Sequence, residues 1–562
     1  MVYIISGISE TRDEVLRLVE KYQDQSLADR AFDLALTHSQ VVLRQINATE
    51  SDAQIYGHLA SSIIYANPSL RADPSILSKN QRGQSGLWGY SISGDLPIVL
   101  IRIGDPAHIE LVRQLLQAHA YWRLKGLVVD LVIWIEEHSG YRQLLHDQIL
   151  DLIASGLEAN LIDRPGGIFV RNTDQISSED RILFQAVARV IITDNRGTLA
   201  EQINRYRFAE SIVPPFSRVK RPTVKSSPSV ELPHRDLIFF NGFGGFTPDG
   251  REYIITTKHK QLTPAPWVNV LSNPTFGTVI SESGSSYTWS ENAHEFRLSP
   301  WYNDPVVDAS GEAWYIRDEE SGRFWSPTPL PRQGTRPYIS RHGFGYSVFE
   351  HIERGIYSEM WIYVALNAPI KFTVLKIRNK SGRNRRLSAT GFVEWVLGDL
   401  KPKTTMHLIT EVDPNSGALF ARNPYHTEFA DRVAFFSVDD SSRTFTCDRN
   451  EFLGRNGTYQ NPAAMNRSRL SGKVGASLDP CAAIQVTFDL EDGQEREFVF
   501  TLGVGQDAND ASRLVHRFQE SDAARGELES VWQYWNHTLG AIHVETPDLA
   551  LNTLTNGWLL YQ

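Results

Sequence analysis

The sequence predicts a multidomain α+β protein: an N-terminal helical region, a small α/β parallel-sheet region, a large antiparallel β-sandwich, and closing helices. Three observations carry this. Between residues 96 and 210, fully apolar strand runs alternate with helical patterns, as in a parallel sheet buried on both faces. From 236 to 505 the dominant period is two, the mark of half-buried antiparallel strands. After Gln506 apolar residues return to helical spacing.

Residues 1–95 read as helical. Thr11 precedes Glu14 as a capping pair, and Val15, Leu18, Val19 and Tyr22 follow on one face. A second helix is predicted from Leu27 to Ile46. In the region 96–210, strands are predicted at Leu96–Ile103, Gly126–Ile135, 167–170 and 190–193. Helices are predicted after Pro106, over Tyr141–Ile153 and near Leu183. Ligands of parallel sheets gather beyond the carboxyl ends of the strands, where Asp105, Glu136, Glu137, His138, Arg171 and Asp194 would lie. No phosphate loop accompanies them, so a structural rim is expected. Residues 211–235 carry Pro214, Pro215, Pro222, Pro228 and Pro233 among Ser and Lys, which predicts a linker.

Within 236–505, Ile484, Val486, Phe488 and Leu490 alternate before Asp492-Gly493, and Phe498, Phe500 and Leu502 alternate after it. That pattern predicts a β-hairpin. Another hairpin is expected over Phe435–Asp448, and a buried strand over Phe372–Ile377. The segment is too long for one seven-stranded sandwich. In the linker helices, 506–545, Leu528, Val531, Trp532, Trp535 and Leu539 share one helical face. Residues 546–562 open a further apolar helix through Leu551, Leu554, Trp558 and Tyr561. With no cap, stop or partner after it, the chain is expected to be part of a longer protein.

The 562 residues are 41% hydrophobic and 22% charged, ordinary for a globular protein. A net charge of −10 gives no electrostatic drive toward nucleic acid. Cys447 and Cys481 are the only cysteines, too few for a disulfide framework and suited to a reducing compartment. Residues 1–8 lack a basic leader and cleavage site, and the apolar run Leu127–Ile135 contains Asp130 and is far below spanning length. A cytoplasmic location follows as the expectation.

The glycine run Asn241–Thr247 lacks the third glycine and the helix of a dinucleotide site, and the histidines lack metal-ligand spacing. Neither cofactor nor metal is therefore expected. Glu282, Asp304, Asp308 and Glu312 lie among aromatics, though turn caps explain them more readily. Trp267, Tyr287, Trp289, Trp301, Tyr302, Trp314, Tyr315 and Trp325 form an aromatic cluster, followed by Arg341-His342-Gly343-Phe344-Gly345-Tyr346. Aromatic faces stack on sugar rings while Tyr and Trp tips still hydrogen-bond hydroxyls. The candidate carbohydrate-binding residues are Trp267, Trp325, Arg341, His342 and Tyr346. The competing reading is structural: Arg341 and His342 hold loops by hydrogen bonds, and Gly343 and Gly345 permit a tight turn.

Several segments carry a family resemblance. Asp249–Ile255, Pro266–Asn269, Trp325–Pro327, Arg341–Ser347, Asn450–Arg455 and Asn556–Gln562 resemble, in order, the supersandwich and first barrel helix of glycoside hydrolase family 94. That family contains the cellobiose and chitobiose phosphorylases. Upstream, Gln81–Ile98, Tyr121–Leu127 and Asp163–Gly167 resemble the region preceding this sandwich in bacterial cyclic β-1,2-glucan synthases. The resemblance implies a supersandwich followed by the start of an (α/α)6 barrel. It implies inverting glucosyl transfer to or from inorganic phosphate, the co-substrate, with a β-glucan oligosaccharide as partner and a homodimeric assembly. Membrane attachment would come only through other parts of a longer protein. Because the family's general acid and phosphate site lie in the barrel, no catalytic residue is assigned, and the chain alone is expected to be inactive. The alternative is a non-catalytic carbohydrate-binding or assembly module.

Overall fold

The computed structural model describes residues 4, 6–136, 142–156, 158–204, 235–259 and 261–561. Glu137, His138, Tyr141 and the prolines of the 211–235 segment lie outside the described residues. The chain divides into two compact units, Met1–Ile76 with Gln84–Phe208, and Leu77–Gly83 with Ala209–Gln562.

In the first unit, helices span Arg12–Tyr22, Gln25–Gln45 and Glu50–Tyr65. The Thr11 hydroxyl accepts from Glu14 N at the first helix start, and Thr49 with Asp52 forms a complete capping box at the third. The sheet comprises β1 (Ile98–Ile103), β2 (Asp130–Ile135), β3 (Ile168–Asn172) and β4 (Ala188–Thr193). Its order is β3-β2-β1-β4 and every pairing is parallel. Tyr56, Leu59 and Ile63 of the third helix join Val99, Ile101, Leu131 and Ile133 in one core, so helices and sheet are packed together. At the rim, Asp194 Oδ2 accepts from the backbone N–H groups of Gly104 (2.7 Å) and Asp105 (3.1 Å), and Arg102 pairs with Glu136 at 2.6 Å.

The second unit is a mainly antiparallel β structure. A ten-stranded sheet, a five-stranded sheet and a three-stranded sheet enclose a core that includes Trp314, Met360, Trp395, Phe436 and Phe500. The strand predicted at Phe372–Ile377 is the centre of Ile370–Asn379, buried along most of its length.

Both predicted hairpins are corrected. Pro480–Leu490 and Glu495–Gly505 are consecutive strands, but the former pairs with Arg385–Glu394 in the five-stranded sheet. The latter pairs with Ile370–Asn379 in the ten-stranded sheet. The Asp492-Gly493 turn is thus an arch between facing sheets. Phe488 and Phe498 meet across the core with ring centroids 4.8 Å apart. Val433–Val438 and Arg443–Asp448 are split between the same two sheets. The physical reason is that period two reports which face of a strand is buried, and both strands of an arch bury one face just as a hairpin does.

Helices Ala508–Arg517 and Ser521–Leu539 follow, with Val515, Phe518 and Ala524 packed on Tyr363, Phe372 and Val499 of the ten-stranded sheet. The last helix runs Leu549–Thr553, passes through a π-turn at Leu554–Trp558, and continues over Leu559–Tyr561.

Candidate functional site

The Arg341–Tyr346 segment is a true hairpin. Strands Tyr338–Gly343 and Tyr346–Glu353 pair directly, and Gly345 at the turn has φ +82°. A Cβ on Gly345 would lie 2.5 Å from Trp535 Nε1, so this position needs glycine for both conformation and space. Alternation then sends Arg341 and His342 to opposite faces.

Arg341 bridges two carboxylates, Glu252 at 2.8 Å and Glu350 at 2.9 Å, and its guanidinium lies 5.3 Å from the Trp361 ring centroid. The Tyr346 hydroxyl donates to the same Glu252 at 2.8 Å, and its ring stacks on Trp361 at 5.5 Å. Burial and the Glu252 carboxylate push the Tyr346 phenol well above its usual range. His342 is buried, its Nδ1 2.9 Å from Ser347 Oγ. Burial lowers its pKa to about 4, against a weaker opposing pull from the Trp267 backbone, so the ring is neutral at neutral pH.

Trp267 is half-buried, edge-on to Phe243 and Tyr253 at 6.0 Å each, and its backbone N–H donates to Glu282 at 2.7 Å. Trp325 is only 2% exposed and belongs to the sandwich core, so its indole offers no open face to a sugar. The structure therefore gathers Arg341 and Tyr346 around Glu252, buries His342 on the far side, and leaves Trp325 apart. Sequence reasoning passed over Glu252 and Trp361. Glu252 stands inside the quoted Asp249–Ile255 segment, which was the available signal.

Beside this hairpin the terminal helix finds partners that the sequence reading did not foresee. Tyr561 OH donates to Asn269 Oδ1 at 2.8 Å and accepts from Gly345 N at 3.0 Å. Asn269 Nδ2 in turn donates to the carbonyls of Gly343 (3.0 Å) and Tyr346 (2.9 Å). Trp558 Nε1 donates to Gly250 O at 2.8 Å, and its ring packs on Phe344 at 4.9 Å. Leu551 and Leu554 stay 45% and 40% exposed. Four of the six segments that resemble family 94 thus meet here, as a seat for the helix.

The four carboxylates converge at another place in the second unit. Glu282, 4% exposed, accepts from Thr263 and from Trp267 N, and burial raises its pKa against those hydrogen bonds. Asp308 Oδ2 accepts from the hydroxyls of Ser281 (2.6 Å) and Ser283. Asp304 Oδ1 accepts from Val306 N and Val307 N, folding the loop on itself. Glu312 lies deeper, paired with Lys371. Two adjoining cavities of ≈ 300 and ≈ 210 Å³ share Ser285, Asp308 and Ala309 as walls. Among the described residues no cluster suited to a metal ion is present.

The second unit is thus a layered β structure that carries an aromatic and acidic cleft. Residues 251–521 match the glycosyl hydrolase 94 supersandwich domain, so the second unit carries that domain. The cyclic β-(1,2)-glucan synthase NdvB of Rhizobium meliloti strain 1021 is 35% identical over 98% of this chain and 20% of its own length. The N,N′-diacetylchitobiose phosphorylase of Vibrio furnissii is 28% identical, over 57% of this chain and 40% of that protein. The 3-O-β-D-glucopyranosyl-β-D-glucuronide phosphorylase of Paenibacillus borealis is 27% identical, over 57% and 41%. The chain therefore spans less than half the length of each of these relatives.

Proposed function

We infer that this chain is the helical, α/β and supersandwich portion of an enzyme acting on β-1,2-glucan, in which a glucosyl group moves to or from phosphate. Within that enzyme these residues support and position, and the transfer itself is performed elsewhere. The observation that carries this reading is the extent of the likeness: the synthase aligns with 98% of the chain, the phosphorylases with 57%. A supporting role is consistent with the hairpin geometry, because the Arg341 guanidinium, His342 Nδ1 and the Tyr346 hydroxyl are held by protein partners, while Gly345 N and Phe344 of the same hairpin seat the helix.

Among the described residues no helix is long and apolar enough to cross a membrane. A cytoplasmic location, a homodimer, and membrane association only through further segments belong to the same proposal. The test is direct. The chain incubated with β-1,2-gluco-oligosaccharides and phosphate should release no glucose 1-phosphate, and release above background would sink the supporting role. The alternative, a carbohydrate-binding module acting by itself, is favoured by the cleft.

A further inference from the structure

The cleft at the loop following Ser299 has features that support alone does not require. Trp301 ends a row of three rings in tilted contact: its centroid lies 4.7 Å from that of Tyr287, and Tyr287 lies 5.2 Å from Trp289. Tyr287 is 8% exposed, whereas Trp301 is 39% exposed and lines the smaller cavity. Trp301 thus offers part of its indole to the smaller cavity while Tyr287 holds it in place.

The loop that closes this wall is built with care. Asn303 and Asp308 both take left-handed backbone conformations, φ +48° and +50°, a region that Asn and Asp enter more readily than other non-glycine residues. The hydroxyls of Ser281 and Ser283 hold Asp308 through its Oδ2, and Asp308 N donates to Asp304 O at 2.9 Å. Ser285 Oγ donates to Ala309 O at 3.2 Å, fixing the far end. The strap from Asn303 to Ser310 is thus pinned between the two cavities. It presents Asp304 and Asp308 beside Trp301, while Pro266 and Val268, on either side of Trp267, complete the apolar wall.

An apolar wall with an open indole and adjacent carboxylate acceptors is the chemistry that recognises a pyranose ring. The C–H face stacks on the aromatic, and vicinal hydroxyls donate to carboxylate oxygens. The two cavities of ≈ 300 and ≈ 210 Å³ adjoin and share Ser285, Asp308 and Ala309, so together they reach the volume of a small-molecule pocket, which starts at about 300 Å³. We propose that this cleft binds the end of a β-glucan chain, one glucopyranose against Trp301 with its hydroxyls on Asp304 and Asp308, and the neighbouring ring in the larger cavity. The choice of glucan rests on the functional reading above; the pyranose site rests on the cleft.

The experiment is calorimetry on the intact chain with three probes: the β-1,2-linked glucose disaccharide, the β-1,4-linked one, and glucose. The β-1,2 disaccharide should bind at least about ten-fold more tightly than glucose, a factor worth 1.4 kcal/mol. Trp301→Ala should weaken it by about ten-fold or more, Trp301→Phe by less, and Asp308→Asn measurably. Trp88→Ala, an exposed indole of the other unit, should leave it unchanged. Thermal melts separate misfolding from lost binding, and Trp301→Phe keeps a ring if Trp301→Ala fails to fold. No binding of any probe, or binding that survives both Trp301→Ala and Asp308→Asn, overturns the cleft. Binding of the β-1,4 probe alone, abolished by Trp301→Ala, upholds the pyranose site and overturns the β-1,2-glucan reading.

Discussion

Lys371 Nζ lies 2.6 Å from Glu312 Oε2, and the two side chains are each 1% exposed. Lys371 stands on the ten-stranded sheet and Glu312 on the five-stranded sheet, so the pair crosses the core of the sandwich. Thr278, Ser286 and Thr288, from the three-stranded sheet, donate to or accept from the same charges. Ser299 completes the shell around Glu312. All three sheets are thereby tied to one polar centre, and a charge pair so completely hydrogen-bonded fixes their mutual register.

Removing one partner should be severe. Lys371→Met leaves a buried carboxylate without its cation and should cost about 3–5 kcal/mol in urea unfolding. The double variant Lys371→Met with Glu312→Gln should recover part of that loss. Burial would raise the Glu312 pKa, but Lys371 and the hydroxyl donors outweigh it and the net shift is downward. The pair's contribution is therefore present above the ordinary carboxylate range and lost as pH falls through the depressed value. Acid unfolding of Glu312→Gln should be correspondingly less steep.

His342 gives a second pH signature. Its pKa falls from 6.5 to about 4 on burial, so the unfolded chain binds the proton that the folded chain refuses. Stability should decline as pH drops from 6.5 and level off below about 4, by about 3 kcal/mol over the window. His342→Gln should flatten that part of the profile, measured as unfolding free energy against pH.

Tyr561→Phe removes one hydroxyl that serves both Gly345 N and Asn269 Oδ1. Leaving these groups unpaired should cost about 1–3 kcal/mol locally. Amide hydrogen exchange should accelerate across Leu549–Tyr561 while the sandwich core stays protected. Gly557→Ala should do the same by a different route, because its Cβ would lie 2.4 Å from Phe344 Cζ.

Asn379 staples two arches. Its Nδ2 donates to Arg383 O at 2.7 Å and Leu490 O at 2.9 Å, while its backbone carbonyl accepts from Gly493 N at 2.7 Å. Asn379→Ala should destabilise the fold by about 2–4 kcal/mol in a chemical melt, since several buried groups lose their partners together.

Cys447 and Cys481 should be silent to thiol reagents in the folded state and both titrate after denaturation. Both are buried, and burial pushes the Cys447 thiol up to about 12.

Local pattern located most elements because it is a property of short segments. The apolar runs of β1 and β2, the capping threonine at Thr11, and the shared face of Leu528, Val531 and Leu539 each report burial within a few residues. The aromatic cluster was legible as a cluster, but not its sorting. Trp314 and Trp325 point into the core while Trp301 stays open, and only the course of the strands and the 300–310 loop separates them.

What the sequence determined by itself was the order of helical, α/β and β-rich regions and the family-like segments on which the supersandwich was expected. Tertiary structure decided which strands pair, and therefore which side chains meet. Phe488 and Phe498 alternate identically in a hairpin and in an arch, and Glu312 and Lys371 lie 59 residues apart. Periodicity fixes the face a residue presents; the partner on that face is chosen by how distant strands close the core, which no local signal encodes.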